Sequence, residues 1–199
     1  MDVFFYRMER LLLVLSSTLY NRFKLYIAKS VIGSNFKSCG NMLIRNYAGK
    51  GGITIGEDVF INSARIANPI GGDTKTIIYV EKSAKLLIGN GVKISNTTFF
   101  AKCSIEVGER TYIGGGARIY DSDFHSIYPE YRLNGNTHIL SAPVVIGKRV
   151  FIGSNVQILK GVIIGDDCVV GAGSVVTKSI PAGQIWGGNP AKFIKNIRQ

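Results

Sequence analysis

The chain has 199 residues, of which 46% are hydrophobic and 19% are charged, and its formal net charge at pH 7 is +11. This length and hydrophobic content suffice for one sizeable core and exclude wholesale disorder. The positive charge favours an anionic partner. Because the lysines and arginines are scattered and no nucleic-acid-binding motif is present, we expect a phosphorylated cofactor, an acidic glycan or an anionic membrane surface rather than nucleic acid.

Residues 1–30 are predicted to form an amphipathic helix that caps the end of the following domain or packs on another subunit. Charged residues interrupt its apolar run, and no small-residue cleavage site follows it. A signal peptide and a membrane span are therefore disfavoured, a cytoplasmic location is expected, and an interfacial membrane helix is the less favoured alternative. The apolar residues recur at steps of three and four: Met8, Leu11, Leu12, Leu15, Leu19, Phe23 and Ile27.

An aliphatic residue occupies every sixth position near the C-terminus, and a glycine follows most of these residues. This period fits neither a helix nor a simple strand, but it fits a short strand and a tight turn repeated around a solenoid. A row of ordinary hairpins would not hold the phase over so many units. Weaker copies start near Ile55, so we assign residues 31–182 to the solenoid and 183–199 to a C-terminal tail. The clearest positions are Ile146, Ile152, Ile158, Ile164, Val170 and Val176.

The repeat is interrupted between about residues 121 and 143, and this segment contains both histidines, His125 and His138. An insertion on a rigid solenoid is a typical place for a functional site. A zinc site built from three histidines is excluded by the histidine count. The three cysteines, Cys39, Cys103 and Cys168, lack metal-ligand spacing and are expected to be free thiols, so no metal is predicted.

The repeats between residues 150 and 178, closed by the segment Gly-Asn-Pro-Ala-Lys at 188–192, resemble the hexapeptide-repeat acyltransferases. The resemblance covers roughly residues 30 to 195 and is strongest from residue 107 onward. It implies an all-β fold, a left-handed parallel β-helix of triangular section. It also implies assembly as a homotrimer and acetyl-CoA as the co-substrate.

The same resemblance implies that His125 is the catalytic base, because the segment 121–127 matches the family's histidine context. This version looks most like enzymes that O-acetylate sugars of capsules and lipopolysaccharides. A neutral imidazole would take the acceptor's hydroxyl proton during direct attack on the thioester. Asp121 and Asp123 are candidates for orienting the imidazole, with a turn or loop-cap role as the equal alternative. His138 lacks the motif, so loop packing is expected for it.

For the cofactor, the resemblance implies that Ser154 and Ala172 offer backbone groups to the pantetheine arm. It places Thr177 and Lys178 near the adenosine phosphate, where Lys192 would assist as a second mobile charge. A solvated face is the alternative interpretation of both lysines.

Two aromatic residues complete the predicted cofactor set. Trp186 is expected to stack on the adenine or only to cover the end of the solenoid. Phe151 stands where many family members have tryptophan, so it keeps a face that lines the channel but lacks the indole donor.

The acceptor site is the least specified. Asn96, Tyr131 and Arg132 are candidate sugar contacts, with structural roles at least as favoured. We expect O-acetylation of a sugar in a surface polysaccharide, a lipopolysaccharide or its precursor. The alternatives are N-acetylation of an amino-sugar nucleotide or an antibiotic, and a trimeric scaffold without catalysis.

Overall fold

The computed structural model describes residues 3–197, with one long helix followed by short strands. Helix α1 is Val3–Ile27, a 3-10 turn is Pro69–Gly71, and a second short helix, α2, is Pro129–Leu133. The strands are β1 (Val31–Ile32), β2 (Lys37–Cys39), β3 (Leu43–Asn46), β4 (Ile53–Ile55), β5 (Phe60–Asn62), β6 (Ile77–Val80), β7 (Lys85–Ile88), β8 (Lys93–Ser95), β9 (Thr98–Ala101), β10 (Ser104–Val107), β11 (Tyr112–Ile113), β12 (Arg118–Tyr120), β13 (Val144–Ile146), β14 (Phe151–Ile152), β15 (Gln157–Ile158), β16 (Ile163–Ile164), β17 (Val169–Val170), β18 (Val175–Val176), β19 (Gln184–Gly187) and β20 (Lys192–Asn196).

The strands form three parallel sheets that are the faces of a prism. Each strand pairs with the strand that lies three positions further along the chain. The first sheet therefore has the order β1-β4-β7-β10-β13-β16, and the third has the order β3-β6-β9-β12-β15-β18. The second sheet contains two additional strands, β19 in parallel and β20 folded back antiparallel on β19. The chain is a left-handed parallel β-helix with an N-terminal helix and an inserted loop, which confirms the predicted fold class.

The six-residue period arises from columns of inward-pointing aliphatic side chains. In the first sheet, Ile55 pairs with Ile88, Ile88 with Val107, Val107 with Ile146, and Ile146 with Ile164. All five side chains are buried. Each coil therefore buries the same slots as its neighbours, and the stacked coils share one continuous core.

Glycine follows these aliphatic residues because the coils lie too close for a side chain at that corner. A Cβ on Gly108 would lie 2.5 Å from the carbonyl carbon of Gly147, and a Cβ on Gly147 would lie 2.7 Å from the backbone nitrogen of Asp166. Both obstacles are backbone atoms of the next coil, which cannot rotate out of the way. The glycine column is thus a packing requirement of the coil spacing.

Helix α1 covers the first coil through a face that carries polar side chains as well as Leu25. Ser17, Asn21 and Leu25 are the buried residues along it. The Asn21 side chain donates to the carbonyl of Gly40 at 2.8 Å and accepts from the backbone N–H of Met42 at 3.1 Å. The apolar positions that define the amphipathic pattern instead face outward. No helix within residues 3–197 is long and apolar enough to cross a membrane.

Candidate functional site

The inserted loop leaves the prism after β12 and returns at β13, and it is closed at its base. Ser122 and Ser141 form an antiparallel bridge, and the N–H of Asp123 donates to the carbonyl of Leu140 at 3.0 Å. Further along, the N–H of Gly161 in the turn between β15 and β16 donates to the carbonyl of Ala142 at 3.1 Å. The loop is therefore an ordered flap fixed to one corner of the prism.

His125 lies exposed on this flap, and Asn136 determines which ring nitrogen can accept a proton. The amide nitrogen of Asn136 lies 2.9 Å from Nδ1 of His125. The orientation of that amide is fixed, because its oxygen accepts from the N–H of Ser126 at 3.0 Å and its nitrogen donates to the carbonyl of Phe124 at 3.2 Å. Nδ1 is thus an acceptor, and the neutral ring carries its proton on Nε2.

Asn136 was not among the residues identified from the sequence. Its backbone is left-handed, with φ of 54°. Asparagine tolerates this conformation better than most residues. An asparagine in this loop therefore indicates a turn, and it does not by itself indicate a role in catalysis. Only the fold places it beside the imidazole.

Asp121 does not orient His125, contrary to one of the two predicted roles. Its carboxylate is buried, and its two oxygens accept the backbone N–H groups of Lys102 and Cys103, each at 2.7 Å. Burial raises the pKa of Asp121, while the hydrogen bonds from Lys102 and Cys103 act in the opposite direction. This side chain instead holds the turn of the preceding coil, which is the loop-cap alternative.

The carboxylate of Asp123 is also directed away from the imidazole. It forms an ion pair with Nζ of Lys160 at 2.8 Å. The contribution of Asp123 to His125 is through its backbone carbonyl, which accepts the N–H of His125 at 2.7 Å. Asp123 therefore fixes the loop to the β15–β16 turn and positions the histidine backbone, and the prediction that its carboxylate orients the ring is wrong.

Two of the three predicted sugar contacts lie in the flap. Arg132 donates from Nη1 to the carbonyl of Ser126 at 2.9 Å, so its guanidinium supports the backbone next to His125. Tyr131 stacks on His138 with ring centroids 3.8 Å apart. Both side chains remain exposed while they shape the loop.

Asn96 is placed where an acceptor does not reach it. The residue is only 1% exposed, and its amide nitrogen donates to the carbonyl of Thr74 at 2.7 Å. A Cβ on Gly71 would meet the Asn96 side chain at 2.7 Å. Asn96 therefore supports the excursion between β5 and β6, and its predicted contact with a sugar is wrong.

The residues predicted for the pantetheine arm stack on one another at a different corner, the turn after β14. Pairing of Phe151 with Val169 sets Ser154 and Ala172 one coil apart, and the N–H of Gly173 donates to the carbonyl of Ser154 at 2.8 Å. Ala172 is exposed and Ser154 half-buried. Phe151, just before this corner, is 52% exposed.

The residues predicted for the adenosine phosphate come from adjacent segments. Thr177, Lys178 and Lys192 are all exposed. The N–H of Ala191 donates to the carbonyl of Val175 at 2.8 Å and Lys192 pairs with Gly187 of β19, so the segment of Lys192 lies at the start of β18, beside the second sheet. Lys178 follows β18, at the corner from which the His125 flap also extends.

Trp186, on β19, is only half-buried. Its Nε1 donates to the side-chain oxygen of Gln184 at 2.8 Å. Its ring therefore packs at the end of the core with its donor already used. Among the described residues, no group of three or more His, Cys, Asp or Glu side chains is arranged to hold a metal ion.

Within one chain, the predicted site residues thus fall into two groups. The His125 flap, Thr177 and Lys178 belong to the corner between the third and first sheets, whereas Ser154 and Ala172 belong to the corner between the second and third. The chain by itself does not assemble all of them around one point.

The comparisons with known proteins agree with this fold and repeat. Residues 143–178 match the family model described as the hexapeptide repeat of succinyl-transferase. Galactoside O-acetyltransferase of Escherichia coli is 34% identical over 121 residues, which is 60% of this chain and 58% of that protein. A putative lipopolysaccharide biosynthesis O-acetyl transferase of the same species is 56% identical over 55 residues, 28% of each chain.

A similar solved structure is an N-acyltransferase from Bacillus cereus in complex with dTDP-4-amino-4,6-dideoxyglucose and coenzyme A. It has a TM-score of 0.69 and 25% sequence identity, and the match covers 89% of this chain and 90% of that one. The match spans little more than half the length of the galactoside enzyme, so it bears on architecture and repeat rather than on the acceptor. The repeat, the fold and these relatives together support a hexapeptide-repeat acyltransferase.

Proposed function

We propose that this protein transfers the acetyl group of acetyl-CoA to a hydroxyl of a sugar in a surface polysaccharide, a lipopolysaccharide or its precursor. The observation that carries this proposal is an exposed histidine on an ordered flap of a hexapeptide-repeat prism, held at its main chain and at Nδ1. Its similarity to a galactoside O-acetyltransferase and to a putative lipopolysaccharide O-acetyl transferase supports a sugar hydroxyl as acceptor.

His125 is the general base in this proposal. An alcohol is a weak nucleophile at neutral pH, so the imidazole takes its proton as the oxygen attacks the thioester carbonyl carbon. The new C–O bond forms, the C–S bond breaks, and the imidazolium returns the proton to the departing thiolate of CoA. No acyl-enzyme is formed. Cys103 and Cys168 have no role, because neither is paired with a histidine.

Asn136 must change its contact with His125 for Nε2 to serve as the base. In the observed arrangement, the lone pair of the neutral ring is on Nδ1, where Asn136 already donates to it. A lone pair on Nε2 requires a proton on Nδ1, and two donors would then face each other. Acceptor binding therefore either displaces Asn136 from Nδ1 or turns its amide, at the expense of its contacts with Ser126 and Phe124.

A homotrimer explains why the site residues occupy two corners of the prism. A groove between two chains joins the flap corner of one, with His125 and Lys178, to the Ser154–Ala172 corner of its neighbour. The pantetheine arm then runs along the backbone of Ser154 and Ala172, where small side chains permit close approach. Lys178 supplies charge to the adenosine phosphate as a mobile cation.

The other predicted cofactor residues have supporting roles in this groove. Thr177 precedes Lys178 in sequence and adds to its phosphate contacts. Lys192 is exposed beside the start of β18 and supplies a second mobile charge. Phe151 is exposed next to the Ser154 corner and offers an apolar face to the pantetheine channel. Trp186 covers the end of the solenoid, and the exposed part of its half-buried ring is available to stack on the adenine.

N-acetylation of an amino-sugar nucleotide is the second candidate. The observation that favours it is the similarity, over 89% of this chain, to an N-acyltransferase bound to an amino-sugar nucleotide and coenzyme A. An amine needs less help from a base than a hydroxyl does, so this reaction would depend less steeply on His125.

A mass-spectrometric transfer screen tests the proposal. The protein is incubated with acetyl-CoA and a panel of sugars, nucleotide sugars, amino-sugar nucleotides and surface oligosaccharides. We expect products that gain one acetyl ester, which mild base removes. Products that gain only a base-stable amide would support the second candidate and contradict O-acetylation.

A further inference from the structure

Helix α1 has its two faces reversed relative to an ordinary surface helix. The face against the β-helix holds Ser17 and Asn21, both buried and hydrogen-bonded, whereas the outward face is a continuous apolar stripe. An amphipathic surface helix normally buries its apolar face and exposes its polar face. The stripe residues, with their exposed fractions, are Met8 (41%), Leu12 (59%), Leu15 (55%), Leu19 (72%), Phe23 (59%) and Tyr26 (78%).

This arrangement is not explained by packing within the chain. The stripe follows one side of the helix for about 27 Å, since each residue adds 1.5 Å of rise. Its residues are large, and an exposed apolar surface of that extent marks a place where the protein meets something else. Because the polar face is fixed to Gly40 and Met42, α1 cannot rotate to hide the stripe without losing buried hydrogen bonds.

The charges around the stripe identify what it meets. Glu9 is the sole acidic residue of α1. The exposed cations that border the stripe are Arg22, Lys29 and Lys50. Arg22 lines a cleft with Phe23 and Tyr26, and the two lysines line another with Tyr26, Ile27 and Val31. A second copy of this helix would face the first with like charges on both sides, which disfavours self-association through the stripe. An anionic surface satisfies the cations and the apolar residues together.

We propose that the outward face of α1 is a membrane-docking surface that lies in the headgroup region of a bilayer containing anionic lipid. Phe23 and the leucines enter the acyl boundary, and Arg22, Lys29 and Lys50 contact lipid phosphates. The helix lies on the membrane rather than across it. This inference is independent of the proposed acyl transfer, because none of its residues belongs to the flap or to the CoA corner.

Vesicle flotation of the full chain tests the proposal with a matched pair of variants. The vesicles contain phosphatidylcholine alone, or phosphatidylcholine and phosphatidylglycerol in equal parts. Leu19→Gln and Ile70→Gln remove equally exposed side chains, at 72% and 73%, from the stripe and from a distant turn. We expect the wild type and Ile70→Gln to float with the anionic vesicles and Leu19→Gln to bind roughly tenfold more weakly, the effect of losing one buried leucine.

The charge component is tested separately. Arg22→Gln combined with Lys50→Gln removes two cations that line clefts beside Tyr26, and it should weaken binding to the anionic vesicles and remove most of its salt dependence. Failure of the wild type to float with anionic vesicles would overturn the proposal. So would equal binding by Leu19→Gln and the wild type. A Leu19→Gln protein of reduced assembly mass in sedimentation, without a loss of flotation, would assign the stripe to a subunit contact instead.

Discussion

The side-chain nitrogen of Asn136 lies 2.9 Å from Nδ1 of His125, although the two residues belong to opposite ends of the inserted loop. Asn136 is held by the N–H of Ser126 and the carbonyl of Phe124, so its nitrogen rather than its oxygen faces the ring. This contact fixes the tautomer of the histidine that we propose as the general base. It makes Asn136 a positioning residue in the proposed reaction.

Replacing Asn136 with Asp should favour the tautomer that the reaction needs. One carboxylate oxygen keeps the contact with Ser126, and the other accepts a proton carried on Nδ1, which leaves the lone pair on Nε2. We expect kcat to be maintained or raised, and the profile of kcat against pH to change shape. Steady-state kinetics over a range of pH would measure both.

Asn136→Gly is the matched control, because glycine accepts the positive φ at this position while removing the side chain. It should leave the ring free to choose its tautomer and give an intermediate kcat. If the Asp variant loses activity to the same extent as the Gly variant, Asn136 only supports the loop.

Asp121→Asn should destabilise the fold without a direct effect on the chemistry. One of the N–H groups of Lys102 and Cys103 would face an amide N–H, which leaves a buried donor unsatisfied and costs about 1–3 kcal/mol of the free energy of unfolding. Chemical denaturation measures the loss, and KM for acetyl-CoA should be unchanged in the folded variant. A loss of kcat in the folded variant would return Asp121 to the catalytic group.

The stability difference between wild type and Asp121→Asn should also depend on pH. Because burial raises the pKa of Asp121, the native state holds the carboxyl proton more tightly than the unfolded chain does. The contribution of Asp121 to the free energy of unfolding is fully present below the ordinary pKa of an aspartate, and it is lost as pH rises through the raised pKa. The difference in free energy of unfolding should therefore narrow with rising pH in this window. A widening difference would mean that the hydrogen bonds outweigh burial.

Lys178→Gln should weaken CoA binding through the adenosine phosphate. An exposed charge pair contributes up to about 1 kcal/mol, so the expected loss is roughly threefold to fivefold in Kd. Dephospho-CoA supplies the matching change in the ligand, and isothermal titration with both ligands and both proteins completes a double-mutant cycle. If the loss of affinity caused by Lys178→Gln and the loss caused by removing the phosphate add fully, Lys178 does not contact that phosphate. Lys192→Gln is then the next variant to test.

Gly108→Ala tests why glycine recurs in the repeat. The added Cβ would meet the backbone of Gly147 at 2.5 Å, so the coils must separate, and we expect a loss of about 1–3 kcal/mol or more in the free energy of unfolding. Gly49→Ala is the control. It has a φ of 78° and no atom within 4 Å of the added carbon, so its cost is limited to backbone strain of about 1–2 kcal/mol. Equal losses would show that coil spacing is not the cause.

The fold could be predicted from the repeat, whereas the side-chain contacts inside the loop could not be predicted from the sequence. A period of six specifies a fixed set of inward positions, and Ile146, Ile152, Ile158 and Ile164 are all buried as that period predicts. The hand of the helix came from family resemblance, because periodicity is the same in both hands. Residues 121–143 follow no period, so no pattern in the sequence connects Asn136 with His125.

The errors at the site have a common physical cause. Asp121 and Asp123 were linked to His125 because they are near it in sequence, but their carboxylates meet backbone N–H groups and Lys160 that come from other coils. Asn96 was assigned by analogy, and its burial depends on the excursion before β6. In α1 the apolar pattern was identified correctly, but a pattern alone does not show which face the rest of the chain covers.

The most direct test of the proposed function is the rate of CoA release by wild type, His125→Ala and Asn136→Asp with an acceptor identified in the transfer screen. CoA affinity is measured in parallel for each protein. We predict that His125→Ala lowers kcat by roughly 10²–10⁴-fold, the usual contribution of a general base, with CoA affinity unchanged. Transfer by His125→Ala at the wild-type rate would contradict the account, because no other histidine of the chain lies in the matching motif.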